Sequence, residues 1–203
     1  MGLFISVEGV DGSGKSTQLS LLLAYLDQKG VPYVFTREPG GTPLAEEIRR
    51  VLLDPVHAGM PVLTEAFLFA AGRADHVERV IRPALATGKL VISDRFVDAS
   101  LVFQSFAGGL PLEFVQAINR EATGGLAPDR TIVLDLPPDV ARQRRSGRSD
   151  DRIEQKEEAY HHRVREGYLL LARKEPDRVK LVDASGNIEA VQAKIRALVD
   201  EIL

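Results

Sequence analysis

Short apolar runs alternate with helical patterns along this chain. Leu3-Phe4-Ile5-Ser6-Val7, Tyr33-Val34-Phe35-Thr36, Leu90-Val91-Ile92-Ser93, Thr131-Ile132-Val133-Leu134 and Val179-Lys180-Leu181-Val182 read as strands. They are short and rich in β-branched or aromatic residues, and several have the composition of strands buried on both faces. Between them, Leu19, Leu22, Leu23 and Leu26 form one apolar stripe, with Gly30 where a helix would stop. Ile188, Val191, Ile195, Leu198 and Ile202 predict a C-terminal amphipathic helix. Thr64 is placed to cap a long helix that ends before Gly88, with Pro83 kinking or dividing it. Strands separated by helices predict an α/β architecture of three layers, a five-stranded parallel sheet flanked by helices.

Composition bounds the setting. A chain of 203 residues suits one domain spanning 1–203. The 26 basic against 29 acidic side chains leave a net charge of −3, so no broad basic surface for nucleic acid or an anionic membrane is expected. The absence of cysteine excludes disulfides, thiolate metal sites and cysteine nucleophiles. No apolar run approaches the roughly 20 residues of a membrane span. No basic region precedes Leu3, so a cytoplasmic protein without a signal peptide is expected. Charge is nevertheless uneven. Arg142, Arg144, Arg145, Arg148 and Arg152 place five of 19 arginines within 11 residues, where an even spread would put about one. Interleaved Ser146, Gly147, Ser149, Asp150 and Asp151 break helical periodicity and predict a mobile loop, a lid over about 142–153.

Gly9-Val10-Asp11-Gly12-Ser13-Gly14-Lys15-Ser16 matches G-x-x-x-x-G-K-[ST] in full, between a strand and the leucine-striped helix. Its glycines let successive N–H groups turn inward around a polyphosphate, and the helix N-terminus adds partial positive charge. Lys15 suits the outer phosphates and the Ser16 hydroxyl a Mg²⁺ ion, with Thr17 following; this is a P-loop NTPase signature for a nucleoside triphosphate. A guanine-reading Asn-Lys-x-Asp is absent, since Asn119-Arg120-Glu121-Ala122 does not match it. A small kinase suits the length best.

Further clusters suggest a phosphorylated acceptor. Asp94-Arg95 closes a strand at its carboxyl end, where parallel-sheet sites open. Asp94 there can hold Mg²⁺ through water, and Arg95 can clamp a phosphate, although position alone fits an ordinary surface ion pair equally well. Asp135 ends another strand and competes with Asp94 for the metal role. Arg37, in Thr36-Arg37-Glu38-Pro39-Gly40-Gly41-Thr42, is either a second clamp or an incidental charge on a turn. Phe69 and Arg73 share a helix face and could stack a base and bond its edge; Phe69 alone fits the core as well. Phe96, Ser100, Phe103 and Gln104 complete either a base pocket or, for the two rings, a packed core.

These blocks together resemble the bacterial thymidylate kinase family. The resemblance rests on Phe4 to Thr17, on Thr36 to Thr42, and on Phe69-Ala70-Ala71-Gly72-Arg73-Ala74-Asp75-His76. It continues through Ser93-Asp94-Arg95-Phe96, Asp151-Arg152-Ile153-Glu154 and Val182-Asp183-Ala184, in family order across nearly the whole chain. It implies a Mg²⁺-dependent homodimer that transfers the ATP γ-phosphoryl group to dTMP. It matches Arg37 and Arg95 to acceptor-phosphate clamps, Phe69 to ring stacking on thymine and Arg73 to the base edge. Asp11 matches an acid near the sugar hydroxyl, and Asp94 one near the metal. The family draws a catalytic arginine from the phosphate loop or the lid. Val10-Asp11-Gly12-Ser13 holds none, so the resemblance implies that the lid arginines supply it, with Arg148 and Arg152 favoured for the phosphates and Arg142 for packing near adenine. Phe96 stands where many relatives have Tyr.

A nucleoside monophosphate has a second phosphate pKa near 6 and is already a nucleophilic dianion at neutral pH, so no general base is needed. His57, His76, His161 and His162 accordingly read as solvated or structural. Two alternatives stand beside this reading: a P-loop kinase for another deoxynucleotide or small metabolite, and a slowly hydrolysing nucleotide switch.

Overall fold

The computed structural model of the chain describes residues 2–145, 147 and 149–203. Five strands form one sheet: β1 (Phe4–Gly9), β2 (Tyr33–Arg37), β3 (Leu90–Asp94), β4 (Arg130–Asp135) and β5 (Val179–Asp183). Their order is β2-β3-β1-β4-β5, every neighbouring pair is parallel, and all five lie within two residues of the expected bounds. Side-chain alternation sends the central strands to two layers. Ile5, Val7, Leu90 and Ile92 pack with Leu19, Leu22 and Leu26 of helix α1 (Lys15–Lys29). Phe4 and Val91 point the other way, against Val77, Ile81 and Leu85. Each fully buried Ile contributes about 1.5–3 kcal/mol by leaving water.

Gly30 ends α1 in the left-handed conformation, its N–H bonded to Leu26 and Asp27 carbonyls. Helix α2 (Pro43–Leu53) follows, capped by the Thr42 hydroxyl. The expected long helix exists, but Thr64 is not its cap. Helix α3 (Val62–His76) begins directly after Pro61, with Thr64 inside its first turn. It runs through a wide π turn (Val77–Ile81) into α4 (Arg82–Ala86). Pro83 has no N–H to give, and the ladder widens just before it: the Arg82 N–H reaches Val77 O, five residues back. Next come α5 (Val97–Ser100), α6 (Leu112–Thr123), α7 (Pro138–Arg144), α8 (Glu158–Lys174) and α9 (Ile188–Asp200). In α9 the buried apolar face is Val191, Ile195 and Val199, while Ile188 is half exposed.

Strand β1 lies between β3 and β4, where the direction of sheet growth reverses; the crevice beyond its carboxyl end is the favoured ligand position in such sheets. The arginine-rich segment starts at this end. Its first two arginines, Arg142 and Arg144, belong to helix α7, so only the part from Arg145 onward leaves the helix.

Candidate active site

The carboxyl ends of β1, β2 and β3 open into a cleft of ≈ 1040 Å³. That is at the upper limit of pockets built for one small molecule, about 300–1,000 Å³. One end is the loop between β1 and α1. Gly9 and Gly12 have φ of +136° and +88°, and a Cβ there would meet the carbonyl oxygens of Leu134 at 2.6 Å and Ala141 at 2.3 Å. Only glycine fits either place. Lys15 is buried, with Nζ donating to the Gly9 and Val10 carbonyls, both at 3.2 Å, and 3.8 Å from Asp11. Asp11, Gly12, Ser13, Gly14, Lys15, Ser16 and Thr17 line the cleft. Among the described residues no side chain caps α1 and no acid occupies its first turn, so its end is electropositive toward the cleft.

Arg95 faces this loop from the end of β3. It is the one described non-glycine residue at positive φ, +73°, a conformation that costs roughly 1–3 kcal/mol and is held by its surroundings. Its N–H bonds to Val7 O at 3.0 Å, and Ser93 Oγ donates to its carbonyl at 2.6 Å. Its guanidinium donates to Asp11 at 2.7 Å and to the Tyr168 hydroxyl at 3.2 Å, and stacks over Phe103. Burial pushes the Asp11 carboxyl up, but Arg95 and Lys15 reverse this and hold it well below its ordinary value.

Behind Arg95 lies Glu8, wholly buried. Its oxygens accept from Ser6 Oγ, Phe96 N–H and the Tyr168 hydroxyl, each at 2.8 Å. Burial raises its pKa to about 7 against the opposing charge of Arg95. Sequence reading passed over Glu8 and Tyr168. A carboxylate inside an apolar strand was a visible signal for Glu8; Tyr168 offered none.

The acceptor-side residues divide. Arg37, Phe69, Ser100, Phe103 and Gln104 line the cleft, and Arg49 joins them, its guanidinium on Pro39 O at 2.8 Å. Arg37 is half exposed and bonds both Glu46 oxygens at 3.1 Å. Arg73 and Phe96 are not where they were expected. Arg73 is buried, donating to Glu38 at 2.7 Å, Ser100 Oγ at 2.9 Å, Phe96 O at 3.1 Å and Asn119 Oδ1. It supports Ser100 from behind, and four of its five N–H groups are used by the protein. Phe96 is fully buried and packs edge-on to Phe4 at 4.8 Å. The turn at Arg95 sends that ring into the core layer, so it is no wall of the cleft. Asp94 lines the cleft, whereas Asp135 is bound through both oxygens by Arg165 at 2.7 and 3.0 Å.

The clustered arginines also part. Arg145 donates to Asp11 O at 2.5 Å, and Arg144 to Ala184 O at 3.2 Å; both line the cleft. Arg142 does not. It is exposed, 3.4 Å from Glu158, because its position on α7 turns it outward. Arg152 does not line the cleft either. It is buried, donating to Leu52 O at 2.6 Å and Glu65 at 2.8 Å, since a buried carboxylate demands a partner. Arg148 lies outside the described residues.

A family model described as "Thymidylate kinase" matches residues 7–195. The chain belongs to the thymidylate kinase family. It is 68% identical over 203 residues to a thymidylate kinase of Symbiobacterium thermophilum, covering 100% of this chain and 95% of that one. It is 48% identical to one of Desulfosudis oleivorans, covering 98% and 97% of the two. The crystal structure of the Ehrlichia chaffeensis thymidylate kinase superposes with a TM-score of 0.80 at 32% identity, over 98% of each chain. Within this thymidylate kinase cleft the residues suit Mg²⁺. Asp94 Oδ1 is buried with no hydrogen-bond partner among the described residues, and Ser16 lines the same space. Among the described residues no helix is long and apolar enough to cross a membrane.

Proposed function

We propose that the chain catalyses ATP + dTMP → ADP + dTDP. The observation that carries this reading is a single cleft joining a phosphate loop to a second cationic group, Arg37, Arg49 and Arg95, beside the ring of Phe69. A hydrolase needs only the first of these.

A phosphate oxygen of dTMP attacks the γ-phosphorus as the bond to the β,γ-bridging oxygen breaks, and ADP leaves with that electron pair. The acceptor is mostly dianionic at neutral pH, so no side chain need remove a proton. The obstacle is repulsion between two polyanions. Lys15 turns from the loop carbonyls to the β- and γ-phosphates, and Arg37 and Arg95 hold the acceptor phosphate. Arg95 still has three N–H groups beyond those on Asp11 and Tyr168. From the arginine-rich segment, Arg145 supplies charge at the transferring group and Arg144 covers the donor base. Ser16 and Asp94 would hold Mg²⁺, which would screen the phosphate charge. Phe69 stacks the thymine, with Ser100 and Gln104 at its polar edge. Asp11 lies near the sugar. Segment 142–153 acts as the lid of a single domain over 1–203.

A cytoplasmic homodimer completes the reading. Leu63 and Phe67 of α3 and Leu44 and Val51 of α2 leave a half-exposed apolar face, the kind of surface that a second copy covers. ADP release, measured with dTMP, dUMP, dCMP or no acceptor, tests the activity. Release is expected to be fastest with dTMP and near background without acceptor; release independent of acceptor would overturn the reading.

A further inference from the structure

Glu65 is a wholly buried carboxylate in the first turn of α3, and four donor contacts converge on it. Arg152 Nη2 donates at 2.8 Å and Lys156 Nζ at 3.0 and 3.3 Å; Arg152 lies at the end of the arginine-rich segment and Lys156 just beyond it. Gln104 Nε2 donates at 2.9 Å, from the acceptor wall of the cleft. A carboxylate only accepts, so it fixes which way the Gln104 amide faces; Gln104 Oε1 is buried with no partner among the described residues. Burial raises the Glu65 carboxyl, but Lys156, Gln104 and Arg152 outweigh that and keep it below its ordinary value, hence charged.

The same carboxylate anchors the segment. Arg152 is pinned at three points: Glu65, Leu52 O at 2.6 Å through Nε, and Leu53 O at 3.0 Å through its backbone N–H. Its neighbours Asp151, Ile153 and Glu154 line the cleft. Asp151 Oδ1 accepts the Ile153 and Glu154 N–H groups at 2.9 Å, so a shift of Arg152 carries this turn with it. A second tie runs parallel, from the Tyr160 hydroxyl, which accepts from Lys156 at 3.2 Å, to Phe103 O at 2.9 Å.

We propose that Glu65 is a positioning residue that joins the arginine-rich segment to the acceptor wall through Arg152, Lys156 and Gln104, so that acceptor binding and seating of the segment over the donor favour one another. This rests on the kinase reading above. A ligand group that fixes Gln104 fixes the Glu65 rotamer and with it Arg152. Buried charge-assisted bonds have no water to replace them, so the network moves as a unit.

Calorimetric titration of dTMP into the full-length protein, with and without saturating Mg²⁺ and β,γ-imido-ATP, reads the coupling directly. Wild type should bind dTMP about tenfold more tightly with the analogue present. In Glu65→Gln and Arg152→Met that factor should fall to within about twofold of unity, and in Arg152→Lys it should be intermediate. A folded Glu65→Gln or Arg152→Met with the wild-type factor, or a wild-type factor of one, overturns the proposal. Should both variants fail to fold by circular dichroism, Lys156→Met decides. Lys156 is partly exposed, and an unchanged factor there equally contradicts the link. Absence of any dTMP binding would instead count against the kinase reading itself.

Discussion

The phosphate loop and the arginine-rich segment bring positive charge to the same cleft by opposite means. The loop does so with backbone: Gly9, Gly12 and the uncapped start of α1 present N–H groups, and Lys15 bonds carbonyls five and six residues away. The segment does so with side chains whose partners are distant in sequence, Asp11 for Arg145 and Ala184 for Arg144, while Arg152 turns away from the cleft to Glu65. Local geometry makes the first a recognisable word. In the second, five similar residues take different tasks, because an arginine's role is set by whatever acceptor the fold brings within reach.

The largest effect expected is on the loop side. Lys15→Ala should lower kcat by at least about 10³-fold with little change in thermal stability, since its bonds to carbonyls are replaceable by water. Retention of a tenth of the wild-type turnover would break the comparison at its better-defined end.

Glu8 sharpens it, because even the strand feeding the loop depends on distant partners. An acid whose folded pKa is raised from 4.5 to about 7 favours the fold most at low pH. That contribution is complete below 4.5 and is lost as pH rises through about 7. Between those pH values wild type should therefore lose roughly 3 kcal/mol relative to Glu8→Gln in urea unfolding. Parallel stability curves for the two proteins would remove the charge burden assigned to Glu8.

Arg95 belongs to neither region and marks the acceptor end. Arg95→Ala should lower kcat/KM for dTMP by about 10–100-fold, mainly through KM, with the KM for ATP nearly unchanged. An effect confined to ATP would move this side chain to the donor side.

Legibility in the sequence followed the same division. All five strands, α1 with its Gly30 stop, and the phosphate loop were readable because each depends on residues close in the chain. The apolar period also placed α9, though its buried face is 191, 195 and 199. Spacing alone does not place Arg73 and Phe96, because it reports which residues share a helix face or follow a strand, not which way a strained turn aims them. The turn at Arg95 sends the Phe96 ring inward, and Glu38 and Asn119, remote in sequence, hold Arg73 in the interior. Arg152 is illegible for a related reason. Its arginine neighbours point to phosphate, while its observed partner is a buried Glu65 on another helix. Asp94 and Asp135, alike as strand ends, are told apart by the cleft that Asp94 lines and by Arg165, which neutralises Asp135.

The division of labour among the arginines is tested most directly by measuring kcat and the unfolding free energy of Arg145→Ala and Arg152→Ala side by side. Arg145→Ala should lose about 10²-fold or more in kcat with stability within about 1 kcal/mol of wild type. Arg152→Ala, which removes the fully buried cation of the pair and leaves Glu65 only Lys156 and Gln104, should lose about 3 kcal/mol of stability. A stable Arg152→Ala protein with abolished turnover, beside an Arg145→Ala protein of normal turnover, would contradict this assignment and return Arg152 to the phosphates.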